Sequence, residues 1–385
     1  MPLTVSTLIA AIPLAIWLYL FLARGNFWRV RVDAIVPKPL DRWPKVVAIV
    51  PARNEAETIA ATIVALARQD YPGLFSLVVV DDHSDDSTAA LARQAAGESG
   101  GAHSITILQA APLAPGWTGK VWALKEGIHA APEQEPDFYW FTDADITHAP
   151  DTLRRLVFLA EQESLDLTSL MVMLRTKTVP ERFLIPAFLF FFLMLYPPRW
   201  IADPNKRTAG AAGGCMLLRR SALERISGLR TICGEVIEDC ALARTVKKSG
   251  GRIWMGLTRA SVSLRGFGSA AEIRNMIART AFTQLRHSFF LLLATLFGLF
   301  VTYLLAWILL LNPDEPAWLL AGITISLMAA TYSATVRFYG LSLLWAATLP
   351  IAAVFYGYAT CVSAVRYWFG RGGQWKGRAQ APGST

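Results

Sequence analysis

The stretch DFYWFTDADITH, residues 137–148, decides the fold, because a strand-forming run ends there in two carboxylates. Four aromatic residues at 138–141 favour a buried strand. Asp143 and Asp145 follow one residue apart, and two carboxylates cannot both be buried unpaired. We therefore expect them at the carboxyl edge of the strand, where open α/β sheets bind ligands. Their oxygen atoms suit Mg²⁺ or Mn²⁺, and an Asx turn that ends the strand is the alternative.

Composition indicates a membrane protein, since the 385 residues are 54% hydrophobic and only 17% charged. The net charge is +8, but the basic residues flank apolar segments and do not alternate with stacking aromatics. This favours an anionic membrane surface over nucleic acid as the partner. The cysteines show no zinc-ligand spacing and are interpreted as reduced thiols facing the cytosol, with no structural metal. They are Cys215, Cys233, Cys240 and Cys361.

The amino-terminal apolar segment, residues 3–23, is long enough to span a bilayer. Basic residues follow it and none precedes it, so we expect an uncleaved anchor, assigned to residues 1–23, with its carboxyl end in the cytoplasm. Residues 24–45 contain three prolines and are predicted to form an extended linker.

An α/β domain is predicted for residues 46–265. Apolar or β-prone runs of strand length alternate with helical stretches, which indicates a mostly parallel sheet with helices on both faces. Fingerprints for dinucleotide binding and for P-loop NTPases are missing from the sequence. The predicted strands are at 46–50, 77–80, 104–108, 138–141 and 165–174, with helices at 119–131 and 235–248 and another helix near Pro150.

Two further stretches of this domain are each open to two interpretations. The small-residue run AGAAGGCMLL, within residues 207–220, is predicted to form a turn into a short strand, and its glycines allow either a close backbone approach to a ligand or simply a tight turn. Glu238 and Asp239 begin the helix at 235–248. There they either compensate the helix dipole or serve catalysis.

Residues 183–197, FLIPAFLFFFLMLYP, interrupt the domain with an apolar run that is short for a span. A segment dipping into the cytoplasmic leaflet is predicted, where it would guide a lipid acceptor towards Asp239 with the help of Phe190 and Phe191, and a buried core helix is the alternative. Residues 266–288 alternate basic and apolar residues at helical spacing and are predicted to form one amphipathic interface helix.

The carboxyl-terminal region, residues 289–365, contains three apolar segments at 289–311, 317–336 and 343–365, each long enough to span. If every segment crosses the membrane, the basic tail at 366–385 ends outside, against the positive-inside rule. Either one segment is re-entrant or interfacial, or the tail tolerates the violation.

Four motifs in order, VPARNE, VVVDDHSDDST, DAD and IEDCAL, resemble those of the family 2 glycosyltransferases with a GT-A fold. The amino-terminal anchor, the carboxyl-terminal helices and the stretches GWTGKVWALKEG, VIEDCALA and ARTAFTQLRHS further resemble the hopene-associated glycosyltransferases, which implies a role in hopanoid biosynthesis.

The resemblance implies a role for each matching residue. Asp82 would recognise the base, Lys120 and Arg286 the diphosphate, and Asp239 would be the catalytic base. Asp143 and Asp145 would bind the metal, with Asp143 also contacting the nucleotide sugar. Thr283 and His287 replace the Gln and Trp of the Q-x-x-R-W motif found in membrane synthases. The loop that holds the nucleotide would contain Pro51, Ala52, Arg53 and Glu55.

These features predict a multi-pass enzyme of the inner (cytoplasmic) membrane, with a cytoplasmic catalytic domain, Mg²⁺ or Mn²⁺ as cofactor, and an inverting mechanism. A nucleotide sugar, expected to be a UDP-sugar, is the donor and a lipid is the acceptor. A metal and a cationic side chain would neutralise the leaving diphosphate, and a single carboxylate would suffice as base. The alternatives are a processive polysaccharide synthase and a catalytically silent membrane scaffold or lipid carrier.

Overall fold

The computed structural model describes residues 4–32, 35–101, 103–131 and 135–370, with the backbone of 374–375 and 378–379. Much of the predicted basic tail, residues 371–373, 376–377 and 380–385, lies outside the described residues. The strands are β1 Val46–Ala52, β2 Phe75–Asp81, β3 Ser104–Gln109, β4 Phe138–Thr142, β5 Ile146–His148, β6 Leu167–Met173, β7 Cys215–Arg219, β8 Ile253–Ser263, β9 Gln374–Trp375 and β10 Arg378–Ala379.

The helices alternate with the strands in the first two thirds of the chain and dominate the last third. The α-helices are α1 Val5–Leu22, α2 Ile59–Ala67, α3 Thr88–Glu98, α4 Gly119–His129, α5 Thr152–Gln162, α6 Val179–Leu195, α7 Pro198–Ala202, α8 Arg220–Arg225, α9 Glu238–Lys248, α10 Ala270–Ala278, α11 Ala281–Gln284, α12 Phe289–Leu299, α13 Leu305–Leu309, α14 Glu315–Phe338 and α15 Leu349–Trp368. A π-helical turn at Phe300–Leu304 joins α12 to α13, and 3₁₀ turns form at Gly228–Ile232 and Leu343–Thr348.

The chain divides into two compact units. The sheet unit comprises Arg31–Arg175, Trp200–Arg265 and Gln374–Thr385. The helical unit comprises Met1–Val30, Thr176–Arg199 and Gly266–Gly373. The segment at 183–197 therefore belongs to the helical unit, although the sequence places it inside the catalytic domain.

The sheet unit is built on an eight-stranded sheet in the order β3-β2-β1-β4-β7-β6-β8-β5. The half formed by β3, β2, β1 and β4 is parallel, as the continuous apolar runs predict. The strand β7 lies antiparallel between β4 and β6, and β5 is antiparallel to β8, so the whole sheet is mixed. Local sequence pattern predicts a strand at β7 but not its direction.

Helices cover both faces of this sheet. Alternate residues of β1 lie in one core cluster with α2, α3 and α5. On the opposite face α4 packs against Ile49 and Val80, so closely that a Cβ at Gly127 would lie 3.1 Å from Val80 Cγ2 and collide with Ile49. Burial on both faces explains why β1 is apolar along its whole length.

The sheet order brings several loops to one edge. The strands β1, β2, β4, β6 and β8 all end there, and the antiparallel β7 begins there. In the register of β4 with β7, Thr142 is opposite Cys215, and Thr142 Oγ1 donates to the carbonyl of Gly214 at 3.0 Å. Gly213 and Gly214 are therefore beside the Asp143 loop.

The helical unit supplies helices long and apolar enough to cross a membrane, as predicted from composition. Within the part of the chain that the structure describes there are five of them, judged by length and composition. Trp17 in α1 is fully buried and donates its indole N–H to the carbonyl of Thr302 at 2.8 Å, in the π-helical turn. These candidate spans are Val5–Leu22, Val179–Ala202, Phe289–Leu309, Glu315–Phe338 and Leu343–Trp368.

The structure favours the core-helix alternative for Phe190. Its side chain is fully buried, with its ring 5.2 Å from Phe27 and 5.2 Å from Tyr332, centroid to centroid. Phe191 is only partly exposed and contacts Tyr303 and Tyr356. Aromatic packing within the helical unit therefore explains these two phenylalanines, as in the core-helix alternative.

The single amphipathic helix predicted for residues 266–288 is also wrong in form. The structure has two shorter helices, α10 and α11, and a turn in which Arg286 and His287 both have positive φ. The apolar side chain of Phe282 packs with Leu292 and Ala364 of the same unit. The apolar face is thus at least partly used for packing between helices.

Candidate active site

The candidate site is the edge of the sheet where the loops converge, and its centre is Lys120. The Lys120 ammonium lies 2.6 Å from Asp143 Oδ1 and 2.7 Å from Glu238 Oε1. Burial alone would lower the pKa of Lys120, but the charges of Asp143 and Glu238 outweigh it and raise the pKa above the ordinary value. The lysine therefore stays protonated and joins the metal motif to the start of α9.

Asp239 lies beside this pair. Its Oδ2 accepts a hydrogen bond from the amide of Gly213 at 2.9 Å, and Oδ1 accepts from the amide of Cys240 at 2.6 Å. Burial, followed by the negative charge of Glu238, raises the pKa of Asp239 to about 6, while Lys120 and the two amides oppose the rise. Such a carboxylate is mostly ionised at neutral pH and is basic enough to accept a proton.

Gly213 allows the backbone to approach this closely. A Cβ at this position would lie 3.2 Å from Asp239 Oδ2 and 3.3 Å from Lys120 Nζ. The structure shows the tight turn, because the Cys215 amide donates to the carbonyl of Ala212 at 3.2 Å across Gly213 and Gly214. The backbone also approaches the side chain of Asp239 closely, and an approach to a ligand stays a prediction.

A second ion cluster surrounds Asp145. Arg265 Nε donates to Asp145 Oδ2 at 3.1 Å, and Arg265 Nη2 lies 2.6 and 2.8 Å from the two carboxylate oxygens of Glu55. Ser263 Oγ also donates to Asp145 Oδ2 at 3.2 Å. Asp143 and Asp145, although one residue apart, are thus neutralised by different cations.

The loops after β1 and β2 bind each other. Arg53 donates to the carbonyls of Asp82 and His83, the latter at 2.7 Å. The Asn54 amide donates to Ser84 Oγ at 3.0 Å, and Asn54 Oδ1 accepts from the Asp85 amide at 2.8 Å. Asn54 has φ of 52°, in the left-handed region that asparagine tolerates better than most residues. These bonds bring together the predicted nucleotide-binding residues.

Most of the predicted site residues therefore meet at one edge of the sheet unit. Pro51 and Ala52 end β1 and are buried, and Asp82 directly after β2 is fully buried. Arg286 belongs to the helical unit, so its predicted contact with the diphosphate remains a prediction. The sequence reasoning missed Arg265, whose signal was a cationic residue two positions after a long strand.

The electrostatic balance of the edge favours a cation. Among the described residues, the two ion clusters around Lys120 and Arg265 contain five carboxylates against these two cationic side chains. The carboxylates are Glu55, Asp143, Asp145, Glu238 and Asp239. Among the described residues no group of three or more His, Cys, Asp or Glu is arranged to hold a metal ion.

Comparison with known proteins gives both sequence and structural relatives. The chain is 32% identical over 162 residues to an N-acetylglucosaminyltransferase of Rhizobium leguminosarum bv. viciae, a match that covers 40% of this chain and 36% of that protein. Its fold is similar to that of a mannosyltransferase from Pyrobaculum calidifontis, solved in complex with GDP-Man and Mn²⁺. That likeness has a TM-score of 0.59 at 20% identity and covers 94% of this chain and 99% of the other.

The family model described as glycosyltransferase-like family 2 matches residues 44–283. This range includes the loops after β1, β2 and β4, the start of α9 and Arg265, all of which form the edge described above. Because it spans well over half of the chain, and because the fold matches that of a GT-A enzyme, the chain belongs to glycosyltransferase family 2.

Proposed function

We propose that the chain is a metal-dependent inverting glycosyltransferase that moves a sugar from a nucleotide donor to a lipid acceptor at the cytoplasmic face of the membrane. One observation carries the proposal: Lys120 joins Asp143 of the metal motif to Glu238, the neighbour of Asp239. Groups suited to donor binding and a group suited to deprotonating an acceptor are thereby held within one small region.

The donor side consists of the loops after β1 and β2. Their residues Pro51, Ala52, Arg53, Glu55 and Asp82 would bind the nucleotide, with Asp82 recognising the base. The complex of the mannosyltransferase with GDP-Man supports a nucleotide sugar as donor. We propose a UDP-sugar for this chain.

Asp143 and Asp145 would hold the metal. Asp143 is about one third exposed, with 35% of its side chain accessible, and both residues offer the hard oxygen atoms that Mg²⁺ and Mn²⁺ prefer. The mannosyltransferase binds Mn²⁺, which supports this assignment. When bound, the ion would neutralise charge on the departing diphosphate, a role that Lys120 supports as a nearby cation.

Asp239 would take the proton from the acceptor hydroxyl. Its raised pKa makes it a stronger base than an ordinary aspartate, and the Gly213 amide fixes one of its oxygen atoms. The diphosphate leaves without protonation, so one carboxylate is enough and direct displacement inverts the anomeric centre. Arg286 would contact the diphosphate from the TQLRHS turn.

The acceptor is proposed to be a lipid because the family domain is joined to helices apolar enough to span a membrane. The resemblance to hopene-associated glycosyltransferases suggests a hopanoid-related acceptor and a multi-pass protein of the inner membrane. Mass spectrometry of lipids from cells with and without the gene tests this directly. A missing glycolipid would support the proposal, whereas loss of a long polysaccharide would point to a processive synthase.

The metal assignment is tested with Asp145→Asn and a matched control. We expect this variant to lose sugar transfer and to bind the donor more weakly in Mn²⁺, while it stays folded. The control is Asp166→Asn, because Asp166 is a similarly buried carboxylate paired with Arg225 and is not among the site residues. Full activity of Asp145→Asn, or of the wild type in EDTA, would refute metal dependence.

A further inference from the structure

Arg265 connects two loops that the proposed function uses for different tasks. Its Nη2 contacts both oxygens of Glu55 in the loop after β1, while its Nε contacts Asp145 after β4. Glu55 and Arg265 are 210 residues apart in sequence. One guanidinium therefore bridges the nucleotide loop and the metal motif.

The backbone fixes Arg265 relative to Asp145. The amide of Leu264 donates to the carbonyl of Asp145 at 2.7 Å, and Ile146 pairs with Ser263 in the ladder between β5 and β8. Glu55, in contrast, lies on a loop, where its amide donates to Thr88 Oγ1 at 2.7 Å. Since ladder bonds hold β8 and β5 together, the Arg265 side chain is what ties the Glu55 carboxylate to that framework.

The charges of Glu55 and Asp145 explain why their contacts with Arg265 have a strong effect. The side chains of Glu55 and Asp145 are only 12% and 13% exposed, so each would be strongly destabilised without a cation. Arg265 offsets both at once, and the planar guanidinium can do so because it presents donors in a fixed geometry. A lysine would supply the charge but not the same arrangement of donors.

We propose that Arg265 is a positioning residue, which holds Glu55 and Asp145 in one arrangement before donor and metal arrive. Nucleotide and metal binding then depend on Arg265, whereas the chemistry at Asp239 does not. This inference rests on the proposed function of the same site, and it assigns a role that no motif in the sequence predicts.

The test measures the affinity for UDP and for GDP, each with Mn²⁺, by calorimetry on the full-length protein in detergent. For whichever nucleotide the wild type binds, we expect Arg265→Gln to weaken binding by about 10- to 100-fold, the range typical when a residue supporting a metal ligand is removed. Arg265→Lys should recover part of this loss. In steady-state kinetics the KM for donor should rise much more than the KM for acceptor.

Arg225→Gln is the matched control. The Arg225 side chain is 40% exposed and pairs with Asp166, which is 16% exposed, whereas the corresponding values are 38% for Arg265 and 12% for Glu55. Both substitutions remove a cation from a partly buried ion pair of the sheet unit. The control should therefore show the loss of stability that follows from removing one such cation, although Arg265 pairs with two carboxylates and Arg225 with one, while its nucleotide affinity stays at the wild-type value.

Three outcomes would overturn the inference. The first is wild-type nucleotide affinity of the Arg265→Gln variant, even if the melting temperature of this variant falls. If Arg265→Gln does not fold, Arg265→Lys replaces it, and wild-type affinity of that variant would be equally decisive. The third is failure of the wild type to bind either nucleotide, which would overturn the proposed function as well. The affinity of the wild type therefore distinguishes failure of the proposed function from failure of this inference alone.

Discussion

Replacing Asp239 with asparagine should remove activity and at the same time stabilise the protein. Asparagine is close to isosteric, and its Oδ1 can still accept the hydrogen bond from the Gly213 amide, but its Nδ2 cannot accept the second bond, from the Cys240 amide. The change therefore removes the charge and the basic group and keeps one of the two contacts that fix the side chain. We expect the rate of transfer to fall by about 10²- to 10⁴-fold, the usual contribution of a general base.

The gain in stability follows from the pKa. The pKa of Asp239 rises from 3.8 to about 6 in the folded protein because of burial and the charge of Glu238. At about 1.36 kcal/mol per pH unit, the ionised carboxylate acting alone would cost the folded state about 3 kcal/mol at neutral pH. Glu238 lies beside it and shares the Lys120 counter-charge, so part of this cost is common to both residues. Loss of the hydrogen bond from the Cys240 amide reduces the gain further, so we expect about 1 kcal/mol.

Because the pKa of Asp239 is raised in the folded protein, the gain in stability of Asp239→Asn depends on pH in a distinctive way. Between pH 3.8 and about 6 the unfolded chain has lost the Asp239 proton while the folded protein retains it, so the contribution of Asp239 to wild-type stability falls as pH rises through this window. The difference between Asp239→Asn and the wild type should therefore be absent below pH 3.8, grow up to about pH 6, and then remain constant. Wild-type activity should decline as pH falls below about 6.

The assay combines thermal unfolding in detergent across this pH range with a sugar-transfer assay. Glu235→Gln is the control, because Glu235 is an exposed carboxylate just before α9 and should change neither quantity. An active Asp239→Asn variant would refute the role as base. An inactive variant of lower stability would refute the electrostatic reasoning, because the contacts of the carboxylate would then outweigh the cost of its charge.

Three further predictions concern other parts of the chain. His148 is buried between Thr142 and Ser261, and burial lowers its pKa to about 3. The contribution of His148 to stability should therefore fall as pH drops from 6.5 towards 3, and in unfolding experiments His148→Gln should lose less stability than the wild type over this range. Gly213→Ala should cut transfer while UDP and Mn²⁺ binding falls less, because the new Cβ presses on the proposed base; unchanged kinetics would contradict this. Phe190→Ala should lower the melting temperature, with a cost near the lower end of the about 3–5 kcal/mol typical of a buried phenylalanine. An unchanged melting temperature would favour the lipid-facing interpretation instead.

The sequence by itself determined the elements and the chemistry at their ends. The run VVAIV predicts a strand buried on both faces, and Val46–Ala52 is such a strand, because its alternate residues face different helices. Asp143 and Asp145 were predictable as strand-end carboxylates because an aromatic run cannot bury two charges within itself. The apolar lengths likewise predicted four of the candidate spans among the described residues, since about 20 apolar residues are needed to span a bilayer. The run at 183–197 is short for a span by itself, but it lies in the longer candidate span Val179–Ala202.

Only the tertiary structure decided which of these groups meet. Lys120 reaches Glu238, and Arg265 reaches Glu55, because β7 enters the sheet antiparallel and β5 returns along β8. Local periodicity encodes the type of an element but neither its neighbours nor its direction, so these partners were not readable from spacing. The burial of Phe190 could not be predicted from the sequence for a similar reason. A side chain that faces lipid and one that packs between helices are equally apolar in sequence, and only the packing distinguishes them.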